Sequence, residues 1–201
     1  PAAYQENLAL YRSVYDLLLQ YDRSSLSSEQ QISYDVYAWY LDDLLRIGAY
    51  PYADYPVNPL VVTGVQNLLE YLFVEYHAIQ NVDDARDYIT RLSQVDEKMA
   101  QLVEALRLRQ EQGYLPPAIL IQASLGDISR IASSQPESTS FYTAFKEKLD
   151  QAPGLSAAEK QELLKEAASE IRASVLPAYK TLESALQHLP LNNAAAGGAM
   201  I

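Results

Sequence analysis

One helix with both of its ends written into the sequence constrains this chain more than any other feature. In Asn81-Val82-Asp83-Asp84 a capping side chain stands ahead of two acids, so the first amides gain an acceptor and the macrodipole is opposed. From there Tyr88, Leu92, Val95, Met99, Leu102 and Leu106 alternate steps of four and three. A seam of that rhythm suits antiparallel helical neighbours at shallow crossing angles. Arg107 and Arg109 put positive charge near the last turn, and Gly113 closes the helix. The spacing therefore predicts one long helix from Asn81 or Asp83 to Gly113.

Helical spacing recurs almost everywhere else. Tyr4, Leu8, Tyr11, Tyr15 and Leu18 give a first stripe. Ser28 with Gln31 fits a capping box that opens a second helix, with Ile32, Val36, Tyr40 and Leu44 as its apolar stripe and Gly48 as its stop. Between Gly48 and Thr63 the pattern fails. Pro51, Pro56 and Pro59 remove amide donors there, which predicts a long ordered loop. Thr63 with Gln66 offers a third cap, and the helix that follows, Leu68 to Tyr76, is apolar on nearly all sides, as a buried helix would be. Pro116 or Pro117 opens a fifth helix bearing Ile121, Leu125 and Ile128; Ser133-Ser134-Gln135-Pro136 is a hinge before Phe141, Phe145 and Leu149. Ser156 and Glu159 form a capping box for the last helix, whose seam runs from Leu164 to Leu189 and which Pro177 should kink. The expected fold is all-α: an antiparallel array of about seven helices with one proline-rich loop and a kinked C-terminal helix. One helical domain over 1–190 and a flexible, truncated tail over 191–201 complete the expectation.

Composition excludes several function classes. A net charge of -11 argues against nucleic acid and against an anionic membrane surface, both of which are held by clustered Lys and Arg. No apolar run approaches the ~20 residues that span a bilayer, so membrane insertion is not expected. Zero cysteines remove disulfides, thiolate zinc sites and cysteine nucleophiles together, and leave the compartment open. The chain begins with Pro1 and its tail stops without a cap, which reads as a piece of something longer.

Few residues are left for chemistry. His77 and His188 lie far apart, and neither has the partner at i+4 with an adjacent glutamate that a zinc peptidase helix needs. Both read as helix-end residues. Asp42-Asp43 and Asp83-Asp84 are consecutive, so on a helix they point about 100° apart and read as solvated faces or caps. Glu70 and Glu75 sit on a mostly apolar helix, where burial would raise a carboxyl pKa; an exposed edge fits equally. Sixteen tyrosines against three phenylalanines suit partly wet clefts, because Tyr joins an apolar ring to a polar tip. Tyr34, Tyr37, Trp39 and Tyr40 cluster on the second helix. Tyr50, Tyr52 and Tyr55 fall in the proline loop with Asn58, and these four are the groove candidates. Core filling at helix borders is the competing reading. No catalytic residue, cofactor site or metal ligand is assigned.

The residues Asn81, Asp84, Tyr88, Arg91-Leu92 and the turn Gly113-Tyr114-Leu115-Pro116-Pro117 resemble a bacterial helical family known as domain of unknown function 885. The proline loop before Gly64, the apolar helix ending at His77, and Val175-Leu176-Pro177-Ala178-Tyr179-Lys180-Thr181-Leu182 are similar to its pattern as well. What the resemblance implies is a longer parent related to gluzincin zinc carboxypeptidases and oligopeptidases, with zinc and a histidine-glutamate motif downstream of this stretch. These residues would then be a non-catalytic wall of a substrate channel, with the remainder of the parent and a peptide substrate as partners. A self-sufficient helical module binding a peptide or protein is the alternative, and an oligomer built through the four-three seams a third.

Overall fold

The computed structural model describes residues 2–60 and 63–190, and the expected tail over 191–201 lies outside the described residues. Among the described residues the structure is all-α, as the periodicity requires, and has no strand. They fall into two compact units, the first within residues 1–54 and the second from Tyr55 onward.

The first unit pairs α1 (Ala2–Leu18) with α2 (Ser28–Ile47). Asp22 caps a short 3-10 turn between them by accepting from Ser24 N at 2.9 Å. The α2 capping box is present one residue earlier than expected, formed by Ser27 and Gln30. The stripe expected to pack is not the packed one. Ile32 and Val36 are exposed, Tyr40 is half-exposed and Leu44 alone of that stripe is partly buried, while the buried residue is Leu41, flanked by partly buried Tyr34, Ala38 and Leu45. Both faces of α2 carry apolar residues at helical spacing, so periodicity alone could not choose between them.

The second unit begins in the proline loop. Asn58 is buried and organises it: Nδ2 donates to Tyr55 O at 2.8 Å, while Oδ1 accepts from Leu60 N and Thr63 Oγ1. The loop closes onto α3 (Val65–Tyr71) where Gln66 Nε2 donates to Asn58 O at 2.7 Å. Thr63 and Gln66 therefore serve the loop, and the expected capping box is replaced by Gly64 as a bare N-cap. Only glycine fits at 64, because a Cβ there would collide with Asn58 O and lie 2.9 Å from Leu60 O.

A π-helical turn, Leu72–Tyr76, extends α3 and ends at His77, whose amide donates to Leu72 O at 2.9 Å. The helix expected from Asn81 to Gly113 is divided into α4 (Val82–Leu92) and α5 (Val95–Glu111) by a turn at Ser93-Gln94. Asn81 caps α4 as predicted, accepting from Asp83 N and Asp84 N, and Gly113 follows α5 with φ +81. Then come α6 (Ala118–Ala132), α7 (Ser140–Gln151) capped by Thr139, and α8 (Ala157–Glu170) with the expected Ser156–Glu159 box. The interruption expected at Pro177 takes the form of a second π turn, Ile171–Val175, before the helix resumes as α9 (Leu176–Gln187). Proline supplies no amide to the carbonyl four residues back, and the wider turn accommodates that loss.

One core joins these elements. Tyr88, Phe141, Phe145 and Tyr179 are fully buried at its centre, with Phe73 edge-on to Tyr88 and Phe141 at ring separations of 4.9 and 5.3 Å. Both buried hydroxyls are satisfied by carbonyls: Tyr88 donates to Phe141 O at 2.8 Å and Tyr179 to Gln66 O at 3.0 Å. Burial raises both phenol pKa values well above the ordinary 10, so neither ionises in the folded protein.

A candidate binding groove beside His77

The first π turn leaves one side of its helix open. The helix from Leu68 to Tyr76, which looks buried all round in sequence, buries Phe73 inward and leaves Leu72 45% and Tyr76 69% exposed. Leu69, Leu72, Phe73 and Tyr76 line one side of a groove of about 410 Å³, and Arg91, Gln94, Val95 and Lys98 line the other. The second side is built by the end of α4 and the start of α5, so the Ser93-Gln94 break is part of its shape. Apolar side chains dominate the walls, and the volume falls within the roughly 300–1,000 Å³ of small-molecule sites.

His77 joins the two sides. Arg91 Nη1 donates to His77 Nδ1 at 2.6 Å, which fixes the proton on Nε2, and Nε2 in turn donates to Asp84 O at 3.0 Å. The ring also packs edge-on against Tyr88 at 4.8 Å. Burial pushes the His77 pKa below its ordinary value; Arg91 and Lys148 add to this, while the Asp84 carbonyl and carboxylate oppose it. With both nitrogens engaged and the neutral form favoured, His77 is a positioning residue for Arg91. Lys148 completes the arrangement by donating to Phe73 O at 2.7 Å and His77 O at 2.9 Å, two carbonyls the end of the π turn would otherwise leave open. His77 does end a helix, as expected, but its carbonyl is served by Lys148, and its ring reaches forward to α4.

The other sequence candidates lie elsewhere. Asn58 is consumed by loop closure, and Tyr55 borders a cleft of only about 10 Å³, room for at most one water. Tyr50 is exposed and Tyr52 half-buried in the first unit. None of the four lines the groove beside His77. Asp42 and Asp43 both pair with Arg46, and Asp84 accepts from Gln80 N. Glu70 accepts from Ser140 Oγ and lies 3.5 Å from Arg130, while Glu75 is exposed. His188 Nδ1 donates to Ser184 O at 2.7 Å at the end of α9, as a helix-end residue. Zinc needs three or more donors converging on one point, and no three His, Cys, Asp or Glu side chains do so among the described residues. These residues do not fit the ion.

The groove was missed in sequence because its parts read as ordinary core and surface. The usable signal was that Arg91 and Lys98 share a face across positions where the apolar seam continues without a gap.

Comparison with known proteins extends the sequence resemblance. No curated protein matches the chain. Among solved structures, the crystal structure of a candidate lipoprotein from Colwellia psychrerythraea superposes with a TM-score of 0.76 at 19% identity. The match covers 93% of this chain and 33% of that one, and at this identity it shows the fold alone. The family model for bacterial proteins of unknown function, DUF885, matches residues 1–200. The chain therefore belongs to the DUF885 family.

Proposed function

We propose that this chain is a non-catalytic helical region of a larger protein resembling zinc-dependent peptidases, and that its second unit forms a wall of the substrate channel there. The observation carrying this reading is the coverage: nearly all of the chain is used in matching one third of a solved structure. The groove beside His77 supports it, since apolar walls with a few fixed polar groups are what a channel side needs. Zinc and the bond-breaking residues belong, on this reading, to the rest of the protein. Export from the cytoplasm is part of the proposal, supported by the candidate lipoprotein of the same fold. No helix among the described residues is long and apolar enough to cross a membrane.

Metal analysis and a peptidase assay of the 201-residue chain test the reading. Neither stoichiometric zinc nor peptide turnover is expected. Tight metal at one ion per chain, or turnover that follows the protein through purification, would refute it.

A second reading, a stand-alone helical module that binds a peptide or protein, is favoured by one observation. On α2, Ile32, Val36, Trp39 and Tyr40 are 50% or more exposed, a surface rich in the aromatic residues that interfaces prefer.

A further inference from the structure

The groove beside His77 combines apolar walls with cations that no carboxylate neutralises. Among the described residues neither Arg91 nor Lys98 forms an ion pair. In a chain of net charge -11, Arg107, Arg130, Lys165 and Arg172 of the same unit have acidic partners, while Arg91 and Lys98 are among its basic residues that form no ion pair and are the two that line this groove. Arg91 is held in place through His77, whose Nδ1 accepts from Nη1 and whose Nε2 is anchored on Asp84 O. A guanidinium so fixed presents its remaining N–H donors without first having to be ordered. Facing it across the groove are Leu69, Leu72 and the ring of Tyr76, which offer hydrocarbon contact, the Tyr76 hydroxyl being engaged with that of Tyr71.

We propose that this groove binds a single-chain amphipathic carboxylate, its hydrocarbon body along Leu69, Leu72 and Val95 and its carboxylate on Arg91 and Lys98. Charge complementarity selects the head: two basic groups meet one anion in an otherwise acidic molecule. The walls select the body. A peptide would bring backbone amides that need partners, and among the lining side chains one amide, Gln94, is there to meet them. A hydrocarbon chain brings no such demand. This inference does not depend on the peptidase-related reading above.

Titration calorimetry of the 201-residue chain with decanoate, kept below its micellar concentration, tests the proposal against decanol and an N-acetylated leucine dipeptide. Saturable one-to-one binding of decanoate is expected, at least tenfold tighter than decanol and weakened by added salt. Lys98 is exposed, so Lys98→Met leaves the fold intact and should weaken decanoate roughly threefold, in line with a solvent-accessible charge pair. Arg91→Met should weaken it about tenfold or more, as loss of a charge-assisted hydrogen bond does, with decanol unchanged in both variants. Leu72→Glu, which places a carboxylate in the groove at an exposed position, should abolish decanoate binding while circular dichroism stays that of the parent. Non-saturable uptake, equal affinity for decanol, or insensitivity to Lys98→Met and Leu72→Glu would overturn the proposal. Tighter binding of the dipeptide than of decanoate would overturn the hydrocarbon occupant and leave the channel reading standing.

Discussion

The two π turns of the second unit share a backbone irregularity and differ in almost everything that surrounds it. Leu72–Tyr76 ends a helix, with two carbonyls stitched from outside by Lys148 and one face open to solvent. Ile171–Val175 lies inside a continuing helix and is packed on Ile171, Ser174 and Val175, all buried. It also reverses the direction of help. Its Ser174 Oγ accepts from Asp96 N at 3.1 Å and so caps the start of α5, where Gln94 provides no side-chain cap. One turn receives a capping group from a neighbour and forms a groove; the other supplies one and forms core. An irregular turn is thus no marker of a site until its open face is found.

The largest effect that would sharpen this contrast is expected at Lys148. Lys148→Met keeps the aliphatic stem but removes both donors to Phe73 O and His77 O. Loss of hydrogen bonds from a charged donor should cost about 2 kcal/mol, read as a lower urea midpoint with an unchanged slope. Exposed Lys146, two residues away on the opposite side of α7, is the control: Lys146→Met should stay within about 0.5 kcal/mol of the parent. Equal effects at the two lysines would mean the first π turn needs no external support.

Ser174→Ala should cost less, about 1 kcal/mol, because one neutral hydrogen bond is lost and α5 keeps its other contacts. Hydrogen exchange should localise the loss to the first turn of α5. Faster exchange confined to residues 171–175 instead would show that the hydroxyl serves its own turn.

The difference between the turns also explains what could be read from sequence. Pro177 announces the second one, since a proline within a helical seam must disturb the ladder before it. Nothing announces the first: Leu72-Phe73-Val74-Glu75-Tyr76 contains neither proline nor glycine, and its tertiary support lies more than seventy residues away on α7. The break between α4 and α5 was hidden for a related reason. Ser93 and Gln94 keep near-helical backbone angles (φ -67, ψ -13 and φ -99, ψ 0), so Leu92 and Val95 both stay buried and the four-three rhythm passes through unbroken. Helix class, the caps at Asn81 and Ser156 and the closure at Gly113 are local and were legible. Which face of α2 packs, and the meeting of Arg91 with His77, depend on chain segments brought together only by the fold.

The smallest expected effect lies in the pH dependence of the first turn. His77 faces Arg91, Lys148 and Asp84, and its folded pKa is depressed below the unfolded value, chiefly by burial. Between the two values the unfolded chain binds more protons, so stability rises with pH through that window. The contribution is complete above about pH 6.5, the ordinary imidazole value, and is lost as pH falls towards the folded pKa. His77→Gln can keep a donor towards Asp84 O and an acceptor for Arg91 while removing the titration. Urea midpoints should therefore fall between about pH 7.5 and 5.5 in the parent and fall less in His77→Gln, before carboxylates near pH 4 begin to titrate. The second π turn contains no group that titrates in this range, so Ser174→Ala should leave the parent's pH dependence intact. A slope that survives His77→Gln would place the titrating group outside the groove, and with it the reason for holding Arg91 on a neutral imidazole.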